Sequence, residues 1–451
     1  MSLADETPGV PGTPTAGDQA TALASTSRWA AWRAGLASAE IDARMVGMVL
    51  ALGVIWIGFD LLSGGDFLTA RNLWNLSVQS TSIAIMASGM VLIIVSRNID
   101  LSVGSLLGFL GYTMAMVQTE WIPRTFDLGL GHWYTWIAAL VVGVLLGAAI
   151  GTTQGFLVGY VKIPAFVVTL GGYLIWRGLI FRFEQGQTLA PLDSTFQLLG
   201  GGPKGSLGEW KSWLLALLAC AAIVASILVA RRRRRIYELP LRATWVDGGI
   251  AALGCVAAIG AVLVTTHYYW PEQLARRHAQ EQGIDYPPGG LHIPTGVAYP
   301  VVILLAVTLV MTYLARRRRF GRYVYAIGGN PQAAELGGIN TRRTIMLTFS
   351  LMGVLCAMSA AVQTARLNAA VTNLGVTNEL DVIAAAVIGG TSFAGGIGTI
   401  PGAVLGAVIM QSLRSGMVLI KMDSPAQDVV VGIVLIVAVG LDSLRARSAR
   451  G

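Results

Sequence analysis

The feature that most limits how this chain can fold is a succession of apolar stretches, each about twenty residues long, with little charge inside them. A helix rises about 1.5 Å per residue, so about twenty residues cross a hydrocarbon core roughly 30 Å thick. Twelve segments meet or approach that length: 45–63, 75–95, 100–118, 134–159, 163–182, 211–230, 246–266, 296–315, 343–363, 380–397, 399–418 and 427–443. They predict an all-α, polytopic transmembrane helical bundle of about 10–12 spans. Gly, Ser or Pro interrupts the third, tenth and eleventh segments, which predicts broken or re-entrant helices there.

Composition agrees. Hydrophobic residues make up 54% of the chain and charged residues only 12%, where a soluble domain carries about 25% charged. The 55 glycines suit helices that approach closely without a hydrophobic force between them. The net charge of +8 sits in runs such as Arg231–Arg235 and Arg316–Arg319, which flank apolar segments. Such runs read as topology signals rather than a groove-reading surface, so no nucleic-acid partner is expected. Cys220, Cys255 and Cys356 lie inside apolar stretches without metal-type or disulfide-type spacing, and are expected to pack.

Lys and Arg set the orientation. With both termini in the cytoplasm, every dense basic cluster falls on the cytoplasmic side, and the loops 183–210 and 267–295 face outward. Tyr268, Tyr269 and Trp270 follow a span and read as an interfacial belt. Residues 1–40 are poor in large apolar groups and read as a disordered cytoplasmic tail. Residues 41–445 form the transmembrane domain, starting with an uncleaved anchor near Met45, and 446–451 form a short cytoplasmic tail. The stretches 82–110 and 383–408 share an apolar run, a Gly/Ser-rich break and a second apolar run, which suggests a parallel internal repeat.

Missing chemistry is also informative. GxxxxGK[ST], HExxH and GxSxG do not occur, so no catalytic residue, cofactor or metal ligand is assigned. Ion-coupled carriers keep buried charges in mid-span. Here 75–95, 296–315 and 399–413 carry none, Arg177 and Arg182 lie near the outer end of their helix and are expected to snorkel, and Asp100, Glu379 and Asp381 sit at span starts. The energy for transport should therefore come from a partner.

Three stretches carry most of the remaining signal. In the cytoplasmic segment 316–342, Asn330 is a good N-cap, Pro331 suits the first helical position, and Gly337 and Gly338 stop the helix. A short helix results, with Ala333, Ala334 and Glu335 expected on its surface. It is either a plug for a groove on another protein or an ordinary turn. In Asn98–Ser105, Asp100 or Asn98 can cap the next helix and Gly104 permits a close contact; alternatively Asp100 and Ser102 belong to a translocation path. In Leu380–Gly402, glycines 389, 390, 395 and 396 allow tight packing; alternatively Thr391 and Ser392 offer hydroxyls to a neutral polyol.

The motifs IDLSVGS (99–105), GRYVYAIGGNPQAAELGGIN (321–340) and LDVIAAAVIGGTSFAGG (380–396) together resemble the sugar permeases of bacterial ABC importers, over roughly residues 45–445. Within that group the chain is most similar to the xylose-type permeases, because an extra stretch at about 231–266 lengthens it relative to the ribose type. The resemblance implies a homodimer of permeases with cytoplasmic ATP-binding subunits and a periplasmic sugar-binding protein, in an inner membrane. It also implies that ATPase coupling runs through Gly321, Arg322, Asn330, Pro331, Ala333, Ala334, Glu335 and Gly338. It supplies no sugar contacts.

Overall fold

The computed structural model describes residues 43–126, 132–184, 186–239, 241, 243–283, 285–287 and 290–448. The expected tail 1–40, Arg242 and residues 449–451 lie outside the described residues. The last helix runs to Ser448, so residues 446–448 extend that helix.

The principal helices are α1 (Ala43–Leu62), α2 (Ala70–Val95), α3 (Val103–Met116), α4 (Thr135–Gly159), α5 (Ala165–Glu184), α6 (Glu209–Ile236), α7 (Thr244–Thr266), α8 (Glu272–Gln282), α9 (Tyr299–Arg317), α10 (Arg319–Gly329), α11 (Pro331–Leu336), α12 (Thr341–Leu367), α13 (Asn378–Ile388), α14 (Ile400–Leu419) and α15 (Ser424–Ser448). Nine of them are long and apolar enough to cross a membrane among the described residues. The described residues divide into two compact units, one holding Cys220–Cys255 and the other the described parts of 44–219 and 256–448. In the first unit, Gly254 lets α7 lie against Ile223 of α6, and Arg231 Nε is 3.4 Å from Asp247 Oδ2.

The second unit is built around α2. From Ser80 to Val95 this helix is buried on all sides, as expected for a helix apolar around its whole circumference. Elsewhere, large apolar side chains face outward, among them Leu61 and Leu309. Apolar surface on this scale marks a chain seated in lipid.

The three expected interruptions resolve differently. The tenth segment is broken: α13 has 11 residues, about 16 Å of helix, and an irregular turn follows it. The eleventh is continuous. Pro401 lies in the first turn of α14, where Thr399 Oγ1 accepts the Gly402 N–H at 3.2 Å. Proline there starts a helix rather than interrupting one. In the third segment the break is residues 96–102, before the helix. α3 then runs through a π-helical turn at Val117–Trp121 into Ile122–Phe126. The two stretches compared as a repeat therefore differ in lengths: 26 then 14 residues against 11 then 20.

The irregular segment before α13 needs partners for its backbone. Arg177 supplies some, its Nη1 donating to Thr372 O at 3.2 Å and Leu374 O at 3.4 Å. Arg177 was expected to snorkel; it is drawn inward because those carbonyls have no helical donor. Residue 189 and Ala370 exchange a pair of 3.0 Å backbone bonds at the same end. Tyr268, expected in an interfacial belt, packs on Trp74 with ring centroids 5.1 Å apart.

Glycine spacing explains the tightest helix pair. Gly143, Gly147, Gly151, Gly155 and Gly159 recur every fourth residue on α4. A side chain at Gly147 or Gly151 would strike the backbone of Gly353 or Phe349 on α12, so small residues set the helix separation. Gly151→Leu should destabilise the detergent-solubilised protein by about 1–3 kcal/mol, read as a lower melting temperature. Gly171→Ala on α5, where an added carbon meets nothing within 4 Å, should leave it unchanged or slightly raised.

Candidate functional site

Basic residues gather at one end of the second unit. There Arg44 reaches Gly390 O, Gly159 of α4 abuts Arg342 at the start of α12, and Arg97 meets the end of α10. The cytoplasmic segment 316–342 singled out in the sequence lies on this end. The chain leaves α9 at Arg317, turns at the extended Arg318, and enters α10. Gly321 is required at the turn, since a side chain would hit the carbonyls of Leu314 and Ala315. α10 buries Gly321, Val324, Ile327 and Gly328, while Arg322 stays exposed with Nη1 3.4 Å from Arg317 O.

α11 is capped at both ends. Asn330 Oδ1 accepts the Ala333 N–H at 3.0 Å, Pro331 occupies the first turn, and Gly338 adopts φ +80° while its N–H donates to Glu335 O. A left-handed residue just past the helix satisfies carbonyls that the last turn leaves open. Ala333 and Glu335 are exposed as expected, but Ala334 is buried, because it is on the face of this short helix turned toward the protein. The residue sequence reading missed is Leu336, 91% exposed at the tip of α11. Its signal was present: a large apolar residue on a capped surface helix, directly before Gly337.

Arg97 ties this segment to the bundle. Its backbone is left-handed, at φ +64°. Its Nε donates to Gly328 O at 2.7 Å and its Nη2 to Gly329 O at 2.9 Å, the open carbonyl end of α10, where positive charge is favourable. Gly395, also left-handed, leaves the space the Arg97 side chain occupies. The neighbouring Gly396 N–H donates to Val95 O at 3.0 Å, and Tyr325 Oη of α10 donates to Gly398 O at 2.7 Å. α10 is thus joined to the end of α2 and to the turn between α13 and α14.

The four residues assigned to a translocation path are all buried. Asp100 Oδ1 accepts from Ser102 N–H at 2.9 Å and from its hydroxyl at 2.7 Å, and Gln154 Nε2 donates to Ser102 Oγ at 3.0 Å. That is a turn closed just ahead of α3: Ser102 precedes the helix and no side chain accepts from its first-turn N–H groups. The cap expected of Asp100 or Asn98 therefore does not form, while Gly104 makes the close contact expected of it, against Gly375 and Glu379. Thr391 and Ser392 lie in the tight turn after α13. None of the four lines either cavity described next.

An inner cavity of about 170 Å³ lies between α2, α12, α13 and α14, lined by Gln79, Ser82, Gln363, Asn378, Gln411 and the Asp381–Arg414 pair among others. Arg414 Nε donates to Asp381 Oδ2 at 2.7 Å and Nη2 to Oδ1 at 3.0 Å. The sequence showed no charge in 399–413; Arg414 follows directly and is held inside because Asp381 faces it. A second cavity of about 580 Å³ lies beyond, at the end away from the basic cluster, lined by Trp74, Asn75, Gln197, Tyr268 and Asn368. Val78 and Arg366 line both.

Comparison with known proteins agrees with this architecture. The family model described as "Branched-chain amino acid transport system / permease component" matches residues 72–235 and 198–439. The xylose transport system permease protein XylH of Haemophilus influenzae is 35% identical, over 88% of this chain and 95% of that protein. The XylH of Escherichia coli is also 35% identical, over 89% and 92%. The ribose import permease protein RbsC of Escherichia coli is 29% identical, over 84% and 87%. No solved structure gives a significant match. The chain belongs to the branched-chain amino acid transport system / permease component family, as a multi-pass inner-membrane transport permease whose relatives named above are sugar permeases.

Proposed function

We propose that this chain is the membrane-spanning permease of an ATP-driven importer for a monosaccharide, a pentose such as xylose. The observation that carries the reading is the capped helix α11, which presents Glu335 and Leu336 to solvent and is anchored through α10 by Arg97. In this reading a cytoplasmic ATP-binding subunit holds α11 in a groove. Nucleotide binding moves that groove, α10 moves with it, and Arg97 and Tyr325 pass the displacement to α2 and to the α13–α14 turn. α2 walls the inner cavity, as do α13 and α14, the helices that turn joins, so the motion alternates its access. The energetic requirement is only that the ATP-binding subunit favour one arrangement over the other.

A periplasmic sugar-binding protein delivers the solute on the other side, and two copies of this chain form the pore. Xylose is favoured over ribose by the higher identity to the xylose permeases. An ion-coupled carrier is the less favoured reading, since Asp381 in the cavity wall is already matched by Arg414.

Reconstituted in vesicles with its ATP-binding subunit and binding protein, the chain should accumulate xylose, and alone it should accumulate nothing. In the complete system Arg97→Gln should leave assembly and ATP hydrolysis in place. Accumulation should fall about tenfold or more, since two charge-assisted bonds each contribute about 1.5–3 kcal/mol. Concentrative uptake by the lone chain would end this reading.

A further inference from the structure

We infer that the inner cavity is a stereochemical recognition site for one neutral monosaccharide, so that the permease itself selects its solute rather than serving as a featureless conduit. The inference rests on the transport function proposed above.

Size is the first argument. One water needs about 10–15 Å³ of such space. The cavity's 170 Å³ therefore admits roughly a dozen non-hydrogen atoms, against about ten in a pentose and about twelve in a hexose. A disaccharide has about twice as many and cannot lie wholly within the inner cavity.

The second argument is the unused hydrogen-bonding capacity of the wall. Gln411 Nε2 donates to Gln79 Oε1 at 2.8 Å. That leaves the Gln79 amide nitrogen and the Gln411 amide oxygen without a partner among the described residues. Gln363 Oε1 accepts from Ser82 Oγ and Asn378 Nδ2, each at 3.3 Å, so the Gln363 nitrogen and the Asn378 oxygen are also free among the described residues. Two donors and two acceptors thus come from four different helices. Sugar hydroxyls both donate and accept, and need such a mixed set.

Charge is the third. Asp381 is paired with Arg414, so the wall's carboxylate is not left free to take a cation. The Arg366 side chain makes no hydrogen bond or ion pair among the described residues, and stands between this cavity and the outer one. It is placed to hand hydroxyls from the outer cavity, floored by Trp74 and Tyr268, to the inner one.

The test is thermal unfolding of the purified permease in detergent, without its partner subunits, as xylose is added. Binding to the folded state raises the melting temperature in proportion to occupancy. Xylose should raise it and a disaccharide should not. The double variant Gln79→Leu, Gln411→Leu removes both partners of one bond together. It should therefore fold with a melting temperature near that of the parent, yet bind xylose about tenfold or more weakly, because a site built on hydrogen bonds loses most when they are removed. Three results would overturn the inference: no shift with xylose in the parent, an equal shift in the double variant, or a shift with xylonate but not xylose. Each is distinct from failure of the transport function, which shows as no uptake by the complete parent system.

Discussion

Leu336→Asp should abolish ATP-driven accumulation and release the ATP-binding subunit, while the amount and melting temperature of the inserted permease stay the same. Leu336 is 91% exposed, and substitutions at exposed positions without partners change stability by only about 0.5 kcal/mol. The same exposure makes Leu336 costly to lose in a complex. Burying a leucine contributes about 1.5–3 kcal/mol, and forcing a carboxylate into the same groove adds a desolvation penalty of several kcal/mol. The combined loss is a hundredfold or more in affinity, on the scale of about 1.4 kcal/mol per factor of ten. Co-purification measures the release, and vesicle uptake measures the transport. Glu335→Lys should act in the same direction through charge, more weakly. Undiminished co-purification of both variants would remove α11 from the interface. Ala334→Asp, the substitution the sequence alone would recommend, is a poor probe: Ala334 is buried, so a carboxylate there damages the permease itself.

The second large effect should come from the ion pair in the cavity wall. Asp381 is almost completely enclosed, with 2% of its side chain exposed, and Arg414 exposes 19%. Removing one member leaves the other charged and unpaired at low dielectric, at a cost of about 3–5 kcal/mol. Arg414→Met should therefore lower the melting temperature sharply. Asp381→Leu combined with Arg414→Met should recover most of the loss, since apolar replacement of a whole buried pair is often neutral or stabilising. Asp428, 3.6 Å from Arg414 but 48% exposed, should matter little: Asp428→Asn should shift stability by less than about 1 kcal/mol. If Arg414→Met alone melts like the parent, the pair does not hold α13 to α14.

These particular residues show where sequence reading ended. The caps of α11 are local, so Asn330, Pro331 and Gly338 were readable in order along the chain. The spans were readable because crossing a hydrocarbon layer demands length and apolarity, and both are properties of a single segment. The apparent break at Pro401 was misread because proline interrupts a helix or starts one depending on whether the turn before it is helical.

The sequence alone determined that this is a helical membrane permease with a short, doubly capped helix at 331–336. Those features follow from the solvent and from contacts within a few residues. Tertiary structure alone decided that Arg97 grips the end of α10 across 231 residues, that Arg414 meets Asp381 across 33, and that amides from four helices face one cavity. A guanidinium or an amide reads the same in any sequence, and only packing settles which carbonyl, carboxylate or cavity it meets.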